Sequence, residues 1–130
     1  MIGSRIVVLF VALITLTSCH RIQPIYEVSG HPIPTASRNL NSDQITEAII
    51  QTAQADGWLV DKTSATEVRA TEKWKDHAAV VIISQDGKTF SMRNDGSTNL
   101  RQANGNIHKA YNDRVRKLES DIERRLYRIP

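Results

Sequence analysis

The chain is poor in cysteine: Cys19 stands alone among 130 residues. A single thiol makes no intrachain disulfide, no cysteine-based zinc cluster and no CxxC redox pair. Aromatic residues are scarce as well, at 5%, so each one missing from a core would be felt. Charge of one sign is also lacking. Seventeen Lys and Arg face 14 Asp and Glu, a formal net charge of +3, too weak to mark a phosphate-binding surface by itself. No Gly-rich loop opens a helix in the phosphate-cradling pattern, and no serine lies in a GxSxG frame. No apolar run reaches the ~20 residues that a bilayer-spanning helix needs. The length leaves room for one domain at most.

What the chain does have is concentrated at its start. Met1–Arg5 is short and basic, and residues 6–16, IVVLFVALITL, are apolar apart from Thr15. As a helix this run spans roughly 16 Å at ~1.5 Å per residue, about half of a hydrocarbon core. It reads as the apolar region of a secretory signal, with a small residue, Ser18, just before the cysteine. Leu16, Thr17, Ser18 and Cys19 resemble a bacterial lipobox, Leu-x-(Gly/Ala/Ser)-Cys. The resemblance implies a diacylglyceryl group on the Cys19 sulfur, cleavage before Cys19 and acylation of the new amine. Residues 1–18 are then a cleaved signal peptide. Each buried lipid CH₂ contributes ~0.8 kcal/mol, and several chains on one cysteine anchor far more firmly than one. In enteric bacteria an aspartate after the cysteine resembles an inner-membrane retention signal. His20 does not fit it, which points to the outer membrane, on its periplasmic side.

Residues 19–41 carry Pro24, Pro32, Pro34 and Gly30 without a sustained period, and read mainly as a flexible tether behind the lipidated cysteine. Ile22, Ile25, Tyr26, Val28 and Ile33 offer apolar groups that part of it can pack with. The folded domain is expected over 42–130. Asn41 and Gln44 form a capping-box pair ahead of Ile45, Ala48, Ile49 and Ala53, so a helix is expected over about 43–55, stopped by Gly57. Glu67–Trp74 alternates, with Val68, Ala70 and Trp74 on one face. Residues 78–84, AAVVIIS, are apolar on both faces and suit a central strand. Asp86-Gly87 marks a hairpin, and Thr89–Asn94 returns with Phe90 and Met92 inward. Residues 95–106 read mostly as loop. Asn106 is the expected cap of a long helix over about 107–127, whose apolar stripe runs through Ile107, Tyr111, Val115, Leu118, Ile122, Leu126 and Ile129. The order predicts an α+β fold: a two-layer sandwich in which an antiparallel sheet of three to four strands carries an N-terminal and a long C-terminal helix on one face.

From Trp58 to about Ile122 the chain resembles a group of small bacterial lipoproteins of uncharacterised role. The resemblance is carried by Trp58, His77-x-Ala79-x-Val81-x-Ile83, Phe90, Ser97-x-Asn99-Leu100 and Ile107-His108-x-x-Tyr111-Asn112-x-x-Val115-x-x-Leu118. The group's aromatic near Asn94 and tryptophan near Arg114 are missing here. The resemblance implies an αβ lipoprotein domain and supplies no catalytic residues.

Two surfaces stand out as candidates. His108, Tyr111 and Asn112 share one side of a helix end, with His77 as a second histidine of the domain. They form either a polar recognition cluster or a set of ordinary structural contacts. The last helix also carries all of the mature chain's excess positive charge, and Arg116, Lys117 and Arg124 are candidates for contact with an anionic envelope surface. Its Asp113–Lys117 and Asp121–Arg125 spacings are attractive, and Glu119–Glu123 is repulsive. Two of the four histidines, His20 and His31, fall in the tether, so no metal site is expected, and no cofactor either. Nucleic acid is not an expected partner of an exported chain. The functional expectation is a non-catalytic, outer-membrane-anchored binding or accessory module of the cell envelope, not an enzyme. It would be held to the membrane by lipid on Cys19 and would face an envelope protein or anionic polymer. The alternative is an inhibitor or immunity-type lipoprotein that blocks an envelope enzyme or toxin.

Overall fold

A computed structural model of the chain describes residues 21–129. Residues 1–18, expected to be a signal peptide, and the lipobox-like Leu16, Thr17, Ser18 and Cys19 lie outside the described residues. No helix among the described residues is long and apolar enough to cross a membrane.

The fold is α+β. Its strands are β1 (Ile22–Pro24), β2 (Val28–Pro32), β3 (Leu59–Ser64), β4 (Glu67–Trp74), β5 (His77–Gln85), β6 (Thr89–Asn94) and β7 (Asn106–His108). Its α-helices are α1 (Ser42–Ala55) and α2 (Lys109–Arg128), and a 3-10 turn covers Thr35–Asn39. Five strands form an antiparallel sheet in the order β2-β6-β5-β4-β3, and β1 pairs with β7 in a separate two-stranded ribbon. The strands read from alternation are therefore present as a meander. A fifth strand, β2, comes from the segment expected to be tether.

Local chemistry sets the ends of α1 and the place of β5. Asn41 accepts from Gln44 N and Gln44 Oε1 accepts from Asn41 N, both at 2.9 Å, so the capping box sets the start of α1. Gly57 follows α1 with φ +90°, the left-handed conformation that glycine takes without a Cβ penalty. Strand β5 is the central strand, and both its faces are covered: Ala79, Val81 and Ile83 point to the helices, Val80 and Ile82 away from them. Arg69 and Arg93 stand opposite Ile82 on the neighbouring strands, where their aliphatic stems can shield it.

One cluster holds the layers together. Val68 and Ala70 of β4, Ala79, Val81 and Ile83 of β5, and Phe90 and Met92 of β6 meet Ile45 and Ile49 of α1 and Tyr111, Val115, Leu118, Ile122 and Leu126 of α2. The last five are all fully buried, so the α2 stripe is the spine of the core. Its start differs from the expected one. Ile107 and His108 pair with Gln23 and Ile22 as strand β7, and His108, not Asn106, caps α2 by accepting from Ala110 N at 3.1 Å.

The assignment of 19–41 to a tether is corrected from Ile22 onward. Val28 and Ile33 are buried in the core, with Ile25, Tyr26 and Leu40 packed against it. Ile33 N donates to Lys88 O at 2.8 Å, and the Ser37 hydroxyl donates to Leu126 O at the far end of α2. The domain thus begins near Ile22 rather than Ser42. Every one of these partners is distant in sequence, so no local period announces them.

Candidate functional site

The four residues of the expected polar cluster are built into the fold, three by hydrogen bonds and Tyr111 by packing. Asn112 is 1% exposed. Its Oδ1 accepts from Tyr26 N at 2.9 Å, and its Nδ2 donates to Pro24 O at 2.9 Å and Gln23 Oε1 at 3.2 Å. It clamps the chain between β1 and β2 onto α2. Tyr111 is fully buried among the core residues, and burial raises its phenol well above the usual range. Its hydroxyl lies toward Asn94 without meeting hydrogen-bond geometry to any described residue. His108 caps α2. His77 Nδ1 lies 2.6 Å from Asn99 O and its Nε2 3.4 Å from Asp76.

His77 and His108 do not pair with one another. They are linked through one stretch of loop: His77 meets the carbonyl of Asn99, and the backbone N–H of His108 donates to the carbonyl of Leu100 at 2.8 Å. Leu100 is buried, and Ser97 Oγ accepts from Val80 N at 2.9 Å. The Ser97-x-Asn99-Leu100 and Ile107-His108-x-x-Tyr111-Asn112 stretches are therefore parts of one brace. It joins the loop after β6 to the central strand and to the start of α2.

A second cluster joins residues that stand far apart along the chain. Tyr26 OH donates to Glu119 Oε2 at 2.5 Å, and His31 Nδ1 lies 2.8 Å from Glu119 Oε1. The other His31 nitrogen is 3.4 Å from Glu123, and its ring stacks on Phe90 at 4.7 Å. The hydrogen bond to Glu119, and next burial, raise the Tyr26 phenol. The Arg116 guanidinium sits 4.3 Å over the Tyr26 ring. Glu119 and Glu123, a repulsive pair when read on an isolated helix, are thus bridged by one imidazole.

The basic helix is not an unbroken cationic surface. Lys117 lies 2.6 Å from Asp121 and 3.3 Å from Asp56, and Arg124 lies 3.3 Å from Asp121. Burial, and then its contact with Asp121, raise Asp56; the Asp56 contact, and then Lys117, lower Asp121. The two shifts run in opposite directions, with the Lys117 ammonium held between the two carboxyls. Asp113 pairs with Lys109 rather than Lys117, and Asp121 with Lys117 and Arg124 rather than Arg125. Arg114, on the inner side, lies 3.6 Å over the Trp74 ring and 3.5 Å from Glu72, whose carboxyl is raised by burial.

Among the described residues no three His, Cys, Asp or Glu side chains converge as a metal site would. The hollows are open and shallow. One of about 640 Å³ is lined by Gln23, Ile25, Tyr26, Asn112 and Arg116, and one of about 330 Å³ by Asp56, Asp121, Arg124 and Arg128. Neither brings a nucleophile, a base and an orienting acid together. No family model, curated protein or solved structure matches the chain.

Proposed function

We propose that this chain is an exported lipoprotein, anchored through Cys19 to the periplasmic side of the outer membrane. Its two-layer domain serves there as a non-catalytic binding or accessory module of the envelope. The observation that carries this reading is the lipobox Leu16-Thr17-Ser18-Cys19 behind an apolar run too short to span a bilayer. The non-catalytic part is supported by the occupation of the domain's histidines. His31 is held by Glu119 and Glu123, His77 by Asn99, and His108 by its own helix end. A general base needs a lone pair turned to a substrate in a cleft, and each of these imidazoles has at least one nitrogen engaged by the fold.

The test is membrane fractionation combined with in vivo photocrosslinking from Leu59 and Tyr127, which are 64% and 75% exposed. The expected result is outer-membrane recovery with a crosslink to an envelope assembly protein or polymer. A crosslink to a hydrolase or toxin supports the inhibitor alternative instead. Accumulation of the chain in the soluble fraction overturns the anchored reading.

A further inference from the structure

The fold begins almost at the lipid. Arg21 O accepts from Lys109 N at 2.6 Å, which fixes Arg21 beside the start of α2. Two residue steps separate Arg21 from Cys19, at most about 7 Å of extended chain. No spacer is left to lift the domain from its anchor, so the lipidation proposed above, on which this inference rests, brings the Arg21 corner to the headgroup layer.

The residues at that corner suit such a position. Ile22 of β1 pairs with His108 of β7 and is 39% exposed, one of the few large apolar side chains turned to solvent among the described residues. The Leu100–His108 hydrogen bond brings Arg101 to the same corner. Arg101 is exposed and holds a left-handed φ of +52°, a conformation costly for a residue with a Cβ, beside the buried Leu100 that fixes the loop. Lys109, whose backbone N–H meets Arg21 O, is exposed as well. The acids nearby are Asp113, paired with Lys109, and Asp76, held by Asn99 Nδ2 at 2.7 Å, with Lys75 beside it. Basic groups outnumber acids at this end, and an apolar side chain stands among them.

We propose that Arg21, Ile22, Arg101 and Lys109 form a bilayer-contact face that seats the domain end-on against anionic phospholipid headgroups. The basic groups meet phosphate, and Ile22 enters the interface. Tyr127 and the C-terminal end of α2 then point away from the bilayer, about 27 Å along the helix from Lys109 at ~1.5 Å per residue. That end, with the β2 edge and the 3-10 turn, is the part presented to a partner.

The test uses the mature protein made from the full chain, purified from membranes and reconstituted into vesicles of phosphatidylglycerol and phosphatidylcholine. Lipid occupies the Cys19 sulfur, so Gln102→Cys and Tyr127→Cys each supply one labelling thiol without removing a proposed contact. A fluorophore there is quenched by headgroup-spin-labelled lipid, and the Cys19 peptide mass is read from the same sample. The expected result is several-fold stronger quenching at 102 than at 127. Arg21→Glu, Arg101→Glu and Lys109→Glu together are expected to shrink the difference by half or more while leaving the protein acylated and folded by circular dichroism; an undiminished difference means that the lipid link alone holds this corner there, and overturns the contact face. Equal quenching at both sites, or stronger quenching at 127, on an acylated protein overturns the contact face and leaves the lipoprotein reading standing. An unmodified Cys19 overturns both.

Discussion

The Asn112 side chain accepts a hydrogen bond from the backbone N–H of Tyr26 at 2.9 Å, across 86 positions of sequence. With its two donated bonds it replaces a missing strand partner for the irregular backbone between β1 and β2. Asn112→Ala leaves the Tyr26 N–H and the Pro24 carbonyl without that partner in a nearly closed site. The expected loss is about 2–4 kcal/mol, measured by denaturant unfolding, with hydrogen exchange rising first at residues 22–28. A variant as stable as the parent would show that the clamp is dispensable.

The segment ahead of α1 is a structural part of the domain. Ile33 is fully buried, and Ile33→Ala is expected to cost about 2–5 kcal/mol. A chain starting at Ser42 lacks β2, and with it Val28, Ile33 and the Tyr26 and His31 contacts to α2. It is expected to show no cooperative thermal transition. A sharp transition near that of the full domain would restore the segment to the status of a tether.

Tyr111 separates a recognition role from a packing role. Its hydroxyl is buried without a well-formed hydrogen bond among the described residues. Tyr111→Phe is therefore expected to be stabilising or to cost less than about 1 kcal/mol, whereas Tyr111→Ala costs about 3–5 kcal/mol. Chemical denaturation of the pair decides it. A large loss in the phenylalanine variant would mean that the hydroxyl has a partner in solution.

Glu72 sets a pH dependence whose sign follows from its environment. Burial raises its carboxyl, and Arg114 and Lys117 partly oppose that. The native state thus keeps the proton over a pH range in which the unfolded chain has lost it. The contribution of Glu72 to stability therefore falls as pH rises from the ordinary glutamate range through the raised one. Glu72→Gln is expected to flatten that part of the Tm–pH curve. A curve of unchanged slope would place the titration elsewhere.

How much of this was legible beforehand depended on the range of the interactions. Helix α1 was readable because Asn41, Gln44 and Gly57 act within a turn of it. Strand β5 was readable because an apolar run on both faces has few homes other than a sheet centre. The α2 stripe is readable because five apolar residues, Tyr111, Val115, Leu118, Ile122 and Leu126, keep one helical face. By contrast, β1 and β2 are short, proline-flanked strands whose partners, β7 and β6, lie far along the chain. A bulge between Val28 and His31 also breaks the alternation that might have revealed β2. The same distance hid the Tyr26–His31–Glu119–Glu123 cluster: two of its members looked like tether and two like a repulsive helix pair. The spacing of His108, Tyr111 and Asn112 puts them on one helix end, but it does not show that His108 caps its own helix and that Asn112 bonds the chain between β1 and β2.

Lipidation of Cys19 is tested most directly by metabolic labelling with palmitate in cells expressing either the full chain or its Cys19→Ala variant, followed by immunoprecipitation and gel mobility. The predicted result is label in the parent at the size of the processed chain, and an unlabelled, slower-migrating precursor in the variant. Equal labelling of the two, or no label in a parent that is nonetheless processed, would contradict it.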